Sequence, residues 1–182
     1  MKHGKLIVFE GVSGTGKETQ AKRLQQFLEK RGITARIVFH PSPELKPLLK
    51  KASVRQQIEL LTKDRKKMVD ALIIPALRKG EWVIGLRNYI SAYVYQGNGK
   101  TIEAFDPKPD YLFYFDISPQ DAMKRIIKRG EVRGTYETME LLTEKRKKYK
   151  EVLSHISLIT PITLNAAESI DEIHKNIVKY IL

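Results

Sequence analysis

The amino-acid sequence predicts an α/β protein built on a parallel sheet of about five strands with helices on both faces. Two observations carry this prediction. Short apolar runs, typical of buried parallel strands, alternate along the chain with longer segments of helical periodicity. Strands that alternate with helices pair in parallel through right-handed crossovers. The chain has 182 residues, which suits one domain with a full core, so residues 1–182 are treated as a single domain.

The predicted strands are bounded by residues that stop a strand. They lie at Leu6–Phe9, Ile33–Phe39, Trp82–Gly85, Tyr111–Phe115 and near Pro161–Leu164. The first ends at a glycine-rich turn, and the second ends at a segment with two prolines, Pro41 and Pro43. Because ligands of parallel sheets bind at the carboxyl ends of the strands, the turns after the first, third and fourth strands are expected to face one cleft.

Helices are predicted from the spacing of apolar residues and from end signals. The first runs from Lys17 to a stop at Gly32, and residues 44–80 form helices in pieces with a kink at Pro75. A further helix starts at Ser118, another follows the loop at 128–136 and ends at about His155, and the last spans Ile170–Ile181. Ser118 followed by proline is typical of a helix start, since serine caps the first turn and proline needs no hydrogen-bond partner there. Residues 128–136 are basic and contain glycine, which predicts a loop.

The composition narrows the classes of protein. Lys and Arg number 33 against 21 Asp and Glu, a net charge of +12, which favours anionic ligands. A solvated lysine-rich surface is the more common explanation of such charge. The absence of cysteine excludes disulfides, thiolate metal sites and cysteine nucleophiles. No apolar run approaches the ~20 residues that span a bilayer, and the start has too few apolar residues for a signal peptide. We expect a soluble, cytoplasmic protein.

Residues 11–18 match the phosphate-binding pattern G-x-x-x-x-G-K-[ST] at every position but the last. Glycines at 11, 14 and 16 permit backbone conformations that aim N–H groups at phosphate oxygens. The loop runs into a helix N-terminus, whose partial positive charge favours anions, and Lys17 can reach the terminal phosphates. The alternative is a chance glycine-rich turn between a strand and a helix.

Glu18 stands where a Ser or Thr hydroxyl would hold magnesium. A carboxylate in the first turn of a helix gains about 0.3–1 kcal/mol. At ~4 Å from a phosphate charge it is repelled by about 4 kcal/mol at an effective dielectric of 20. Glu18 therefore binds Mg²⁺, directly or through water, or turns away, or triphosphate binding is weak. Magnesium accepts carboxylates, and the hypothesis adopted is a metal-linked Glu18, with Thr19 as a weaker substitute.

Three stretches resemble the thymidylate kinase family, in order along nearly the whole chain. Leu6–Gly11 with Gly16–Gln20 is similar to the opening of these enzymes. Gly80–Ile84, followed by Arg87, Ser91 and Tyr95–Gly97, resembles their strand, Asp-Arg-Tyr motif and Ala-Tyr-Gln-Gly segment. Residues 109–116 and then 122–131 are similar to their fourth strand, next helix and basic lid.

The resemblance implies a P-loop kinase fold and phosphoryl transfer from ATP, with Mg²⁺, to a deoxynucleoside monophosphate, with dTMP first among candidates. It also implies a lid near residues 128–136 and a homodimer. The expected catalytic residues are Lys17, Arg87 and Arg129. The expected donor-binding residues are Gly11, Ser13, Gly14, Thr15, Gly16, Lys17, Glu18, Thr19 and Arg125. The expected acceptor-binding residues are Leu61, Arg65, Arg87, Tyr95 and Gln96, and Arg133 is a further lid arginine.

These roles suit the chemistry, because phosphoryl transfer is catalysed mostly by positioning and by positive charge, and the arginine fork binds phosphate through two nitrogens. The resemblance implies that Arg87 holds the acceptor phosphate, that Arg65 contacts the base and that Tyr95 lies beside the sugar. Each has a structural alternative. The arginines could pair with carboxylates or lie on a solvated surface, and Tyr95 could be a packing aromatic.

The chain departs from the family pattern at the expected site. Ser13 replaces an Asp, Leu86 replaces the Asp that opens the strand-three motif, Leu61 replaces an aromatic that stacks on the base, and Phe39 replaces a phosphate-binding Arg. Glu18 could replace the carboxylate lost at position 86, and His40 or Lys46 the arginine lost at position 39. Alternatively, the protein is a nucleotide-binding homologue with altered acceptor specificity or little activity.

Two basic stretches, residues 63–67 and 144–150, raise nucleic-acid binding as a third hypothesis. No helix-turn-helix, zinc finger or stacking-rich RNA motif accompanies them, so we do not expect nucleic acid to be a partner. Indifference to DNA at physiological salt would remove the hypothesis.

Overall fold

A computed structural model describes residues 3–97, 106–130, 137–156 and 159–182. Its sheet has five strands, β1 Leu6–Glu10, β2 Ala35–Phe39, β3 Trp82–Leu86, β4 Tyr111–Asp116 and β5 Ile162–Asn165. All neighbours pair in parallel, in the order β2-β3-β1-β4-β5. The predicted α/β class and the five parallel strands are therefore confirmed. The central strand β1 is buried along its whole length, as its apolar sequence requires.

The helices of the described residues are α1 Lys17–Glu29, α2 Lys46–Leu49, α3 Val54–Met68, α4 Ile74–Arg78, α5 Tyr89–Gln96, α6 Pro119–Lys128, α7 Met139–His155 and α8 Ile170–Ile181. A 3₁₀ turn at Pro43–Leu45 precedes α2. Ser118 caps α6 by accepting a hydrogen bond from the Asp121 amide, as its sequence predicts. None of these helices combines the length and the apolar character needed to cross a membrane.

Helices cover both faces of the sheet, as expected. Phe113 and Tyr114 are neighbours on β4, so their side chains point to opposite faces. The Phe113 ring contacts Tyr180 of α8 with 6.1 Å between ring centroids, whereas the Tyr114 ring lies 5.5 Å from that of Tyr149 on α7. Because α1 packs against α8 and α5 packs against α7, each face carries a pair of helices.

The kink predicted at Pro75 takes the form of a wider helical turn. Residues Val69–Ile73 form one π-helical turn between α3 and α4. Proline has no amide hydrogen to donate and its ring clashes with the carbonyl one turn earlier, so the preceding turn widens and the helix then continues.

Helix α5 is not predicted by the sequence analysis. Its start is capped by Asn88, whose Oδ1 accepts a hydrogen bond of 2.9 Å from the Ile90 amide. Its end is marked by Gly97 in the left-handed conformation, with φ of 68°. Tyrosine, isoleucine and valine dominate the segment and favour a strand, which conceals these two helix-end signals.

Most of the predicted lid lies outside the described residues. Residues 128–130 end α6 and the turn after it, and residues 131–136 are not described, so the lid and Arg133 remain predictions.

Candidate active site

A cleft of about 920 Å³ lies at the carboxyl ends of β1, β2 and β3. Its walls include the sequence-predicted residues Ser13, Gly14, Thr15, Gly16, Lys17, Glu18, Thr19, Arg87, Arg125 and Arg129. Two of the three turns expected to share one cleft therefore do so. The turn after β4 does not line it. Asp116, at the end of that strand, pairs with Arg146 and Lys150.

The phosphate loop is held in shape by close backbone packing. Gly14 has φ of 80°, a conformation that favours glycine, and a Cβ there would stand 2.6 Å from the Ala122 carbonyl oxygen of α6. Gly16 is also left-handed and is the N-cap of α1. The loop thus directs the chain into α1 so that the first amides of this helix face the cleft, as an anion site requires.

Lys17 is the buried cation of the loop. Its Nζ donates hydrogen bonds to the Gly11 carbonyl at 2.8 Å, to the Val12 carbonyl at 2.7 Å and to Thr15 Oγ1 at 2.8 Å. Burial, and secondly the charge of Arg87, lower the pKa of Lys17 well below its ordinary value, and the carboxylates of Glu10 and Glu18 partly oppose this. A desolvated ammonium beside the loop amides is suited to bind phosphate oxygens.

Glu18 is exposed and lines the cleft, with no hydrogen bond or ion pair to any residue that the structure describes. The described residues contain no group of three or more acidic or histidine side chains that could hold a metal ion by themselves. A single carboxylate next to the phosphate loop fits the usual protein share of a magnesium site, in which phosphates and waters supply most ligands. The residues present therefore fit Mg²⁺ bound together with nucleotide.

Arg87 follows β3 with a strained backbone. Its φ of 77° is left-handed, the only positive φ of a non-glycine residue within the described ranges. Its Nη1 donates to Tyr149 Oη at 2.9 Å and to Ser91 Oγ at 3.2 Å, and its guanidinium carbon lies 5.0 Å from the centre of the Tyr95 ring. Burial opposes its charge, but the neighbouring Tyr95, Tyr149 and Glu10 raise the pKa of Arg87, so the cation persists at every working pH.

Arg125 and Arg129 enter the cleft from α6 and from its C-cap position, respectively. Arg129 Nη2 contacts both carboxylate oxygens of Glu137 at 2.9 Å, and the Glu137 side chain is only 4% exposed. Glu137 thus holds Arg129 at the rim of the cleft, which the sequence alone does not indicate.

Arg65 does not line this cleft and is not on a solvated helix face. Its side chain is 1% exposed and forms a bidentate ion pair with Asp106, which is 0% exposed. Asp106 also accepts a hydrogen bond from the Tyr89 amide at 3.2 Å. The third guanidinium nitrogen, Nη1, is buried without a hydrogen-bond partner among the described residues. A buried donor without a partner costs about 1–3 kcal/mol, so this nitrogen is suited to a ligand oxygen.

The other expected acceptor residues are placed near Arg65 and Arg87. Leu61 is buried one helical turn before Arg65, and its carbonyl lies 3.3 Å from His40 Nε2. Tyr95 and Gln96 are half-buried at the end of α5, where the Tyr95 ring lies 6.2 Å from that of Tyr149. None of these three lines the cleft.

Comparisons with known proteins agree with this architecture. The sequence model of the family described as thymidylate kinase matches residues 9–177. The chain belongs to the thymidylate kinase family. A thymidylate kinase of Desulfotalea psychrophila is 32% identical, and the match covers 96% of this chain and 93% of that protein. A thymidylate kinase of Colwellia psychrerythraea is 30% identical over 100% of this chain and 96% of its own, and one of Akkermansia muciniphila is 36% identical over 75% and 73%.

In this member of the thymidylate kinase family, the two candidates for the missing phosphate-binding arginine differ in charge. Burial, and secondly the charge of Arg65, lower the pKa of His40 to about 4, so the imidazole is neutral near pH 7. Lys46 is exposed and lines the cleft at the start of α2. The geometry therefore favours Lys46 over His40 as the additional cation.

Sequence reasoning missed the carboxylates that hold the arginines of this thymidylate kinase family member. Asp106 pairs directly with Arg65, and Glu137 pairs directly with Arg129. Glu10 contacts Arg87 only through hydroxyl groups. The sequence does indicate that Glu10 has partners, since a carboxylate at the end of a buried apolar strand requires them. Asp106 and Glu137 carry none, because their partners are fixed by tertiary packing.

Proposed function

We propose that the protein transfers the γ-phosphoryl group of ATP to the phosphate of dTMP, giving dTDP and ADP. The observation that carries this is that one cleft is lined both by the phosphate loop with Lys17 and by Arg87. A donor phosphate and an acceptor phosphate could therefore bind in the same cleft. Membership of the thymidylate kinase family supports the same reaction.

On the donor side, the loop amides and Lys17 would bind the β- and γ-phosphates of ATP. Lys17 Nζ would exchange its bonds to the Gly11 and Val12 carbonyls for bonds to phosphate oxygens. Glu18 would hold Mg²⁺ on the nucleotide, directly or through water, and the ion would neutralise phosphate charge.

On the acceptor side, Arg87 would bind the monophosphate and Lys46 would add a second cation. Arg125 and Arg129 would stabilise the charge that spreads over the transferring group, for which Arg129 has to exchange Glu137 for phosphate.

Arg65 lies outside the cleft walls, so a base would contact its Nη1 only where the acceptor site extends from the cleft toward α3. With the acceptor placed in this way, the Arg65 Nη1 donor would support thymine as the base. A donor at this position pairs with a carbonyl acceptor, such as the 4-carbonyl of thymine or uracil, and is mismatched with the 4-amino group of cytosine. Sites that bind a base through a buried polar group discriminate strongly against analogues that leave the group unpaired. No feature of the described residues favours the alternative of a homologue that binds nucleotides without turning them over.

The test is ADP release from Mg-ATP with dTMP, dUMP, dCMP, dGMP, UMP and AMP offered separately, with EDTA as a control. The expected result is turnover with dTMP, slower turnover with dUMP and none above background with dCMP. Lys17→Ala should abolish turnover, whereas Lys22→Ala, an exposed change on the same helix, should not. Nucleotide binding without turnover of any acceptor would overturn the proposal.

We also propose a cytoplasmic homodimer, on family resemblance alone. Sedimentation velocity tests the dimer, and a monomer at assay concentration would contradict it.

A further inference from the structure

Glu10 is a buried carboxylate that phosphate binding does not explain. It is the last residue of β1, is 0% exposed and precedes the phosphate loop directly. Burying a carboxylate is costly unless every acceptor oxygen is satisfied, so the identity of its partners indicates what it does.

The partners of Glu10 are three donors from the surroundings of Arg87. Oε1 accepts a hydrogen bond of 2.8 Å from the Asn88 amide. Oε2 accepts bonds of 2.7 Å from Ser91 Oγ and 2.8 Å from Tyr149 Oη. The two hydroxyls lie 3.0 Å from each other. Glu10 thus connects the end of β3, α5 and α7 at one point.

The carboxylate fixes the direction of both hydroxyl groups. A hydroxyl has one hydrogen, and donation to a charged carboxylate is stronger than donation to a neutral oxygen. Burial, and secondly the charge of Glu10, raise the pKa of Tyr149 well above its ordinary value, so its proton is retained. With both hydrogens directed at Glu10, the lone pairs of Ser91 and Tyr149 remain to accept from Arg87 Nη1.

The same carboxylate holds the backbone next to Arg87. A left-handed backbone is unfavourable for a non-glycine residue and persists only where its surroundings hold it. The Arg87 amide donates to the Phe9 carbonyl at 3.0 Å, and the following amide, of Asn88, donates to Glu10. Both bonds come from the end of β1, one on each side of the strained residue.

We propose that Glu10 is a positioning residue for acceptor binding, which acts through Ser91 and Tyr149 to fix the Arg87 guanidinium in the cleft. This inference rests on the proposed function, in which Arg87 binds the acceptor phosphate. Because Glu10 and Arg87 form no direct ion pair, the carboxylate orients the guanidinium without occupying it as a competing anion.

The test compares Glu10→Gln, Tyr149→Phe and Ser91→Ala in steady-state assays with MgATP and dTMP. Each should raise the KM for dTMP about tenfold, the effect of losing one oriented hydrogen bond to a charged group, and leave the KM for MgATP within about twofold. Glu10→Gln combined with Tyr149→Phe should cost less than the product of the single effects, since both act on one contact.

Matched controls lie at the opposite end of the sheet. Asp110→Asn alters a carboxylate that accepts from the Leu6 amide at 2.8 Å, and Tyr111→Phe removes a hydroxyl that accepts from Lys5 Nζ at 3.2 Å. Neither should change either KM. A merely structural role for Glu10 would lower the melting temperature and move both KM values together.

The outcomes separate the two proposals. A wild-type protein without turnover overturns the proposed function and the acceptor role of Arg87 with it. An active wild-type protein whose dTMP KM is unchanged in Tyr149→Phe and Ser91→Ala overturns the positioning role alone. These two variants keep the carboxylate and its charge, so they test the inference even if Glu10→Gln does not fold.

Discussion

Replacing Asp106 by Ala is expected to lower both the stability of the protein and its recognition of the base. The substitution removes the partner of Arg65, whose side chain is 1% exposed, and leaves a buried guanidinium unpaired. It also removes the acceptor of the Tyr89 amide. We expect the protein to lose both stability and dTMP affinity, for separable reasons.

The size of the stability loss follows from these contacts. Two charge-assisted hydrogen bonds and one bond from a backbone amide disappear, and the cation that remains cannot reach water without structural change. Removing one partner of a buried ion pair costs about 3–5 kcal/mol. With a urea dependence of about 2 kcal/mol per molar, the midpoint of unfolding should fall by about 1.5–2.5 M.

The control is the double variant Arg65→Met with Asp106→Leu. Replacing a whole buried pair by apolar side chains of similar volume is often neutral or stabilising, so most of the stability should return. If Arg65 Nη1 binds the base, as the proposed function has it, the preference for dTMP over dCMP should not return, because this donor is gone. An urea midpoint within 0.5 M of the wild type for Asp106→Ala, roughly 1 kcal/mol at this slope, would refute the reasoning.

Three further predictions concern the cleft. The pKa of His40 is lowered to about 4 in the folded protein, so between pH 6.5 and 4 the unfolded chain takes up a proton that the folded protein does not. The free energy of unfolding should therefore fall by about 1.4 kcal/mol for each unit by which the pH is lowered in this window. Urea titrations at a series of pH values should show a weaker pH dependence of the free energy of unfolding for His40→Gln. An unchanged pH dependence would contradict this origin. Lys46→Ala should raise the KM for dTMP about three- to tenfold, while Lys50→Ala at the end of the same helix should not, and equal effects would refute a specific role. Glu18→Gln should weaken the apparent affinity for Mg²⁺ about tenfold in initial-rate titrations, with Glu29→Gln as the control, and unchanged Mg²⁺ dependence would exclude Glu18 from the metal site.

The features that local sequence determines were predictable. The phosphate loop is a continuous stretch of eight residues, and its glycines, lysine and following helix carry their geometry within themselves. The strands follow from apolar runs between strong stop signals, and β1 to β5 lie within a few residues of their predicted positions. The family resemblance added Arg87 and Arg129, both of which line the cleft.

The features that distant residues determine were not predictable. Arg65 lies in a basic stretch and reads as a surface residue, yet its partner Asp106 is 41 positions away and buries it. Ser91 and Tyr149 are 58 positions apart and meet over one carboxylate. Nothing in the local pattern of either segment indicates such a meeting, because only the packing of α5 and α7 on the sheet produces it.

The contact between Gly14 and Ala122 constrains how the site can move and how it can evolve. The backbone of the phosphate loop packs directly against α6 at Ala122. Rearrangement of Arg129 is therefore expected in its side chain or in the chain at Gly130, whose φ of 80° marks a turn after the helix. A side chain at position 14 would meet backbone atoms of residue 122, which every residue has, so no substitution at position 122 makes room for it and position 14 should accept only glycine.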